Sequence, residues 1–593
     1  MCGLGGEVRQ DGPADVAALR RMSEALAPRG PDGSGEWFEG GAGLVHRRLK
    51  IIDLSERGAQ PMVDERGELV VVFNGCIYNY KELRAQLEAA GQRFRSTSDT
   101  EVIMAAYRHW GPEDFVDHLI GMFAVAIIDQ STGGTLTLVR DRLGIKPLYL
   151  SEIPGGLRFA STLPALLAGG GVDTAIDPVA LHHYLSFHSV VPPPHTLLRG
   201  VRKLAPATLL TVEPSGRRRE RRYWAPPYER DPKYAGLSAQ DWDELVLDAL
   251  QVAVRRRMVA DVPVGVLLSG GLDSSLIVAL LADQGQHGLA TYSIGFSDVG
   301  TKEGNEFRYS DVVAEAFATD HHRIQIGDDE LVGALEGAID AMSEPMVSHD
   351  VVAFHLLSRE VSRDLKVVQS GQGADEVFAG YSWYPPLLEA EGLGDDVYDR
   401  EFIDVPHAAL AEECKPAYLL DRDVSRFLVH DHFARPGAAT PLDRALRLDT
   451  EVMLVDDPVK RLDNMTMHFG LEARTPFLDH ELVELAAVCP VEHKLAQGGK
   501  GVVKAGARRL LPAEVIDRPK GYFPVPLLSH LSGPALELTR DALLSPAARR
   551  RGLYREEHIL ELLEAPDAHR TTLDGNRLWQ LGLLEMWLAH HLD

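Results

Sequence analysis

The sequence predicts a two-domain protein. An N-terminal α+β half of stacked antiparallel sheets with flanking helices precedes a C-terminal α/β half built on a doubly wound parallel sheet with helical insertions. Three observations carry this. At 593 residues the chain is too long for one core. Its first 165 residues or so are dense in short β signals and turns. From about Asp241 the pattern changes to helices alternating with short apolar strands. The expected divisions are residues 1–210, a linker over 211–240, and residues 241–593.

Helical patterning appears at Val16 to Leu26 and Lys81 to Ala90. Leu69 to Phe73, Phe123 to Ile128 and Leu136 to Val139 read as strands, the last two joined at Thr132-Gly133-Gly134. Gly169-Gly170-Gly171, Pro192-Pro193-Pro194 and the charged stretch Arg217 to Lys233 mark the inter-domain connection. Beyond it, Val262 to Leu268 is branched, apolar and short, as a buried parallel strand is, and Leu276 to Ala282 is apolar on every side, as a helix packed on a sheet is. Ala290 to Phe296 and Leu365 to Gln369 read as further parallel strands, and residues 385–450 as helical insertions.

Composition excludes several classes. A 45% apolar, 25% charged chain is an ordinary soluble globular one. A net charge of −26 argues against a nucleic-acid partner. The densest basic patch, Arg217, Arg218, Arg219, Arg221 and Arg222, is interrupted by Glu220 and reads as a solvated loop. No apolar run is long enough for a membrane span, and no secretory signal opens the chain. Cys2, Cys76, Cys414 and Cys489 are too scattered for a disulfide framework or a metal site, so a cytoplasmic setting is expected; Cys414 and Cys489 fall in predicted helices as small buried residues. The 23 histidines, including the pairs His182-His183, His321-His322 and His590-His591, lack metal-ligand spacing and read as surface or packing residues.

The most informative stretch is Ser269-Gly270-Gly271-Leu272-Asp273-Ser274-Ser275, between a strand and a helix start. Such a turn presents backbone N–H groups and the positive end of a helix dipole to an anion, phosphate above all. Ser274 and Ser275 add hydroxyl donors, and Asp273 can help hold a divalent metal. No Gly-Lys-Ser/Thr follows, so this is not a Walker A loop; it resembles the pyrophosphate loop of ATP-pyrophosphatases. At the other end, Met1 precedes Cys2-Gly3, and a small second residue favours removal of the methionine. The freed α-amine, with a pKa of about 7.7–8.0, can take the thiol proton of Cys2.

Downstream of Cys2 lie Arg29-Gly30-Pro31-Asp32, His46-Arg47-Arg48-Leu49 with Ile51-Ile52-Asp53, Phe73-Asn74-Gly75, Ser98-Asp99-Thr100-Glu101, and Arg140-Asp141-Arg142-Leu143-Gly144 with Lys146-Pro147-Leu148-Tyr149. These segments resemble class II glutamine amidotransferases, whose N-terminal cysteine hydrolyses glutamine on an Ntn-hydrolase αββα sandwich. Arg48 offers a bidentate fork to the glutamine carboxylate, Asp99 an acceptor for its ammonium, and Asn74 with the Gly75 N–H donors for an oxyanion. With the pyrophosphate loop, Ser370-Gly371-Gln372-Gly373-Ala374-Asp375-Glu376, Asp463, Leu471 to Asp479 and Lys500, the whole chain resembles glutamine-hydrolysing asparagine synthetases.

That resemblance implies catalytic roles for Cys2, Asn74, Gly75 and Lys500. It implies glutamine binding by Arg48 and Asp99, and ATP or pyrophosphate binding by Leu267, Ser269, Gly270, Gly271, Asp273, Ser274, Ser275, Ser370 and Gly371. Gln372, Asp375 and Glu376 become acceptor-site candidates, and Asp273 and Asp375 ligands for Mg²⁺. Ammonia then travels internally to an acceptor carboxylate activated by ATP. The substrates are small molecules, with no nucleic acid and no membrane, and the family suggests a homodimer.

Two positions depart from the family pattern. Cys76 stands where the glutaminase segment usually has glutamate, and Gln372 where the Ser-Gly-Glu-Gly turn has its acid. A neutral amide at Gln372 suits an acceptor whose amine is blocked. Both departures, with Phe187-His188-Ser189-Val190-Val191-Pro192, resemble the N-acetylglutaminylglutamine amidotransferase branch; asparagine synthesis is the alternative. A ring-closing β-lactam-type synthetase is disfavoured by retention of Cys2, Arg48 and Asp99, and a non-catalytic homologue by the intact loop and cysteine.

Overall fold

The computed structural model describes residues 2–296, 306–348, 350–518 and 531–593. The N-terminal half is a sandwich of two six-stranded antiparallel sheets. The first runs β10 (Val201–Lys203), β8 (Tyr149–Ile153), β9 (Gly156–Ala160), β1 (Cys2–Arg9), β3 (Ala42–Arg48), β2 (Gly33–Glu39). The second runs β12 (Arg218–Arg222), β11 (Thr208–Val212), β7 (Thr135–Arg140), β6 (Gly121–Asp129), β5 (Leu69–Ile77), β4 (Met62–Val63). The period-2 alternation of β5 divides the layers. Val70 and Val72 pack between the sheets with Leu4, Leu44 and Ala126. Leu69, Val71 and Phe73 pack outward with Leu83, Leu87, Val102 and Ile103 of helices Tyr80–Ala89 and Asp99–Trp110. Helices Val16–Ala25, Leu163–Gly169 and Pro178–Ser186 cover the first sheet with Leu19, Met22, Leu166 and Leu181. Four layers result, helix–sheet–sheet–helix.

The arginine run is a strand and not the expected loop. β12 pairs antiparallel with β11 and is almost wholly exposed. It sits at the sheet edge, where Arg218 and Arg219 reach Glu152 and Glu113. Sheet structure therefore continues through residues 211–222, which composition alone had placed in the linker. Cys414 and Cys489 also differ slightly from expectation: both are buried, but each lies one residue past a helix end, after His407–Glu413 and His480–Val488.

The C-terminal half is a five-stranded, wholly parallel sheet in the order β15 (Asp320–Ile326), β14 (Ala290–Phe296), β13 (Val264–Leu267), β16 (Val367–Gln369), β17 (Glu472–Arg474). Strand order reverses between β13 and β16, and in such sheets the crevice beyond the carboxyl ends at that switch is where ligands bind. The Ser269 and Ser370 loops leave from those two ends. The insertion expected over 385–450 is helical, with Asp395–Phe402, His407–Glu413, Val424–Ala434 and Pro441–Leu448, four of whose core residues are Tyr398, Phe402, Phe433 and Leu446. Among the described residues no helix is long and apolar enough to cross a membrane.

Candidate active sites

Cys2 opens β1 and is 7% exposed. Its backbone N donates to Asn74 Oδ1 at 3.0 Å, a bond that crosses from the first sheet to the second. Asn74 is fully buried, and its Nδ2 has no partner. A fixed donor without a partner, on the side chain that holds the Cys2 backbone, is the kind of group that can stabilise an oxyanion. At Gly75 a Cβ would lie 2.1 Å from the Met122 carbonyl oxygen, so β6 leaves room for glycine alone. Arg48 is the register partner of Cys2 across β1 and β3. Its guanidinium donates to the carbonyls of Ser55, at 2.8 Å, and Asp53, which fix the plane of the fork. Asp99 starts its helix and accepts from Ile77 N at 3.1 Å; burial pushes its carboxyl up to about 6. Burial also pushes the Cys2 thiol up.

Where Cys76 replaces an acid, the C-terminal half supplies charge. Arg474 of β17, fully buried, places a guanidinium nitrogen 3.6 Å from Cys76 Sγ and pairs through Nε with Glu472 at 2.5 Å. Burial alone would raise the Glu472 carboxyl, but Arg474 together with the other positive charges around it, Lys146 among them, outweighs burial and holds the group down at about 2. The Glu472 charge is felt by Cys2, Cys76 and Asp99. Sequence reasoning attached Glu472 and Arg474 only to the synthetase half. The available signal was Glu-x-Arg on a short strand, which puts both side chains on one face.

At the second centre, Leu267 ends β13, and Ser274 Oγ lies 3.2 Å from Ser269 N and 3.1 Å from Ser269 Oγ, rounding the loop. Gly270 has φ +74°, and a Cβ there would meet Ser310 N at 2.6 Å. Gly271 caps helix Leu272–Asp283, and the Ser275 hydroxyl is buried without a partner. From β16, Ser370 N donates to the Arg474 carbonyl at 2.8 Å. A Cβ on Gly371 would lie 2.9 Å from Asp273 Cβ, so the two loops touch. Lys500 joins them: its Nζ is 2.7 Å from Asp273 Oδ2 and 2.9 Å from Asp375 Oδ2. Burial would lower the Lys500 ammonium, but the two carboxylates outweigh it and hold it well above its usual value. Glu376 accepts from Tyr381 Oη at 2.6 Å and is pushed up to about 7 by burial and then by Asp375. Gln372 is half-buried on the same loop.

The histidine pair His182-His183 packs in the core. His182 reaches His407 Nδ1 at 2.9 Å and Ser425 Oγ at 2.8 Å; His182, His407 and Asp423 form the one cluster of three His, Cys, Asp or Glu side chains among the described residues whose ligand atoms lie within 4.8 Å of one another.

A family model for asparagine synthase matches residues 245–589, and one for a glutamine amidotransferase domain matches residues 1–224. Asparagine synthetase (glutamine-hydrolyzing) 1 of Bacillus subtilis is 30% identical, covering 100% of this chain and 97% of its own. A putative asparagine synthetase (glutamine-hydrolyzing) of Mycobacterium tuberculosis is 31% identical, covering 99% of this chain and 97% of its own. With two centres on two matching domains, and with relatives aligned end to end, the chain belongs to the glutamine-hydrolysing asparagine synthetase family.

Proposed function

We propose that the protein hydrolyses glutamine at Cys2, passes the ammonia inward, and uses ATP to convert an acceptor carboxylate to an amide, the acceptor being N-acetylglutaminylglutamine. Cys2 Sγ attacks the glutamine side-chain carbonyl while Asn74 Nδ2 and the Gly75 N–H receive the oxyanion, each such donor being worth about 10²–10³ in rate. Ammonia leaves as the thioester forms, and water releases glutamate. At the second centre an acceptor carboxylate oxygen attacks the α-phosphorus of ATP, and pyrophosphate departs toward Lys500 and the Ser269–Ser275 loop. Ammonia then attacks the acyl adenylate and AMP leaves. Activation is needed because a carboxylate is a poor electrophile at neutral pH.

The observation that supports this most is the Asp273–Lys500–Asp375 cluster lying across both glycine loops at the sheet's switch point. Its carboxylate oxygens also fit Mg²⁺, which favours hard oxygen donors shared with phosphates. There Asp273 and Asp375 would hold the ion, and it would supply neutralising charge to the pyrophosphate. Gln372 supports a blocked acceptor, because no acid at that position faces an ammonium. The second reading, amidation of free aspartate, is favoured by the names of the relatives.

The test is ATP–pyrophosphate exchange with aspartate and with N-acetylglutaminylglutamine, alongside a Cys2→Ala variant. Exchange with the blocked dipeptide alone supports the proposal, and exchange with aspartate alone replaces it by the second reading. Cys2→Ala should lose glutamine-driven synthesis and keep ammonium-driven synthesis; loss of both contradicts two separate sites.

A further inference from the structure

Asp463 is buried in the C-terminal half yet bonds only into the N-terminal one among its described side-chain partners. Arg29 grips it with both terminal nitrogens, at 2.8 and 3.2 Å, and Lys146 Nζ adds a third contact at 3.0 Å. All three side chains are 5% exposed or less. The same Arg29 donates through Nε to the backbone oxygen of Cys2 at 3.3 Å. A single guanidinium thus ties the nucleophile's own peptide unit to a carboxylate 434 residues further along the chain than the arginine itself.

Asp463 stands on helix Lys460–Met467, the end of one continuous rod that starts at Pro441 and contains two π-helical turns, Asp449–Met453 and Val455–Val459. Such turns are deformable insertions, frequent at functional sites. Two residues before Asp463, Arg461 points the other way, about 200° around the helix. It contacts Asp350 at 3.1 Å and Asp457 at 3.0 Å, within electrostatic reach of Glu376 and Tyr381. One helix therefore carries a charge within electrostatic reach of Glu376 on one side and is tied to Cys2, through Arg29, on the other. Seven residues beyond Asp463, at Gly470, the chain packs on Pro31 beside the Arg29 loop, then enters β17 with Glu472 and Arg474.

We propose that Asp463 is a positioning residue that couples the two centres: through its helix it senses the acceptor and adenylate side, and through Arg29 it sets the position of Cys2. Its role rests on the two-centre reaction proposed above. Occupancy at the synthetase centre shifts the rod, and the Asp463–Arg29 clamp carries the shift to the strand end that holds the thiol. Neither glutamine nor ATP need touch Asp463.

The experiment uses the full-length protein, wild type and Asp463→Asn. Glutamate release is measured with and without ATP plus acceptor, and ammonium-driven AMP formation is measured separately. In wild type, ATP plus acceptor should raise glutamate release severalfold. In Asp463→Asn that ratio should fall to about one while ammonium-driven AMP formation stays within about twofold, a coupling loss with the synthetase chemistry intact. A wild-type ratio of one, an unchanged ratio in the variant, or a parallel fall of both activities overturns the inference. Asp463→Asn leaves two buried cations facing each other, which can prevent folding. The double variant Lys146→Met/Asp463→Asn removes one of them and should show the same loss of stimulation; retained stimulation there overturns the inference as well. Absence of ammonium-driven AMP in wild type sinks the two-centre function and this role with it, whereas an unchanged ratio beside normal AMP formation sinks only the role of Asp463.

Discussion

Replacing Lys500 by methionine removes one charge from the second centre and little else. Lys500 already holds φ +55°, and methionine there has the same backbone strain and a similar reach. The carboxylate oxygens of Asp273 and Asp375 lie 2.7 and 2.9 Å from Nζ, on contacts too short to leave the two oxygens far apart. At a separation of about 5 Å and an effective dielectric constant of about 20, two unit charges repel by roughly 3 kcal/mol. Without the ammonium the cluster has one positive charge fewer against that repulsion, and the departing pyrophosphate adds to it. The expected loss is therefore at least ~10² in the rate of acyl-adenylate formation. ATP–pyrophosphate exchange measures it directly, with glutamate release in the absence of ATP as the internal control, expected to stay within about twofold. Exchange within tenfold of wild type, or an equal fall in glutamate release, would refute the assignment of Lys500 to the synthetase centre.

Three further outcomes follow from the geometry. Gln372→Glu should raise exchange on free aspartate relative to N-acetylglutaminylglutamine, and no change in preference counts against Gln372 as a selector. Burial lifts the Asp99 carboxyl to about 6, above its unfolded value of about 3.9, so the fold holds that proton more tightly than the unfolded chain does. This contribution to stability is full below about pH 4 and fades as pH rises through about 6, whereas a bound ammonium needs the ionised form. The kcat/KM for glutamine should therefore climb through about pH 6, and that limb should be missing in Asp99→Asn. Gly75→Ala places a methyl 2.1 Å from the Met122 oxygen and should lower Tm as well as abolish glutamate release; a variant with wild-type Tm would show that β5 and β6 can part there.

Much of this was legible locally. The strand–loop–helix at Ser269–Ser275 and the alternation of β5 are short-range patterns, and they recur in the structure with ends shifted by a few residues. Loop chemistry was legible for the same reason: Gly270 and Gly371 mark positions where backbone must approach backbone. What escaped was set by distant partners. Arg218 to Arg222 has no strand-like composition and becomes a strand because β11 offers it hydrogen bonds. Glu472 and Arg474 belong by sequence to one half and by position to both. Asp463 was visible as an acid ahead of a motif, but its meaning depends on Arg29 and Lys146, which no local period connects to it.

The bond from Cys2 N to Asn74 Oδ1 also bears on stability. Elsewhere the two sheets are cemented by Val70, Val72, Leu4 and their neighbours, but at this mouth they close on an amide whose remaining N–H groups meet nothing. A leucine at position 74 would extend the aliphatic seam and relieve an unsatisfied donor, each worth on the order of 1 kcal/mol, but it would also take the acceptor from Cys2 N, at a cost of about 1–3 kcal/mol. The one side chain therefore serves both ends: its oxygen pins the strand that carries the thiol, and its N–H groups are kept free of partners. The sandwich is left deliberately unfinished at the end where it does its chemistry.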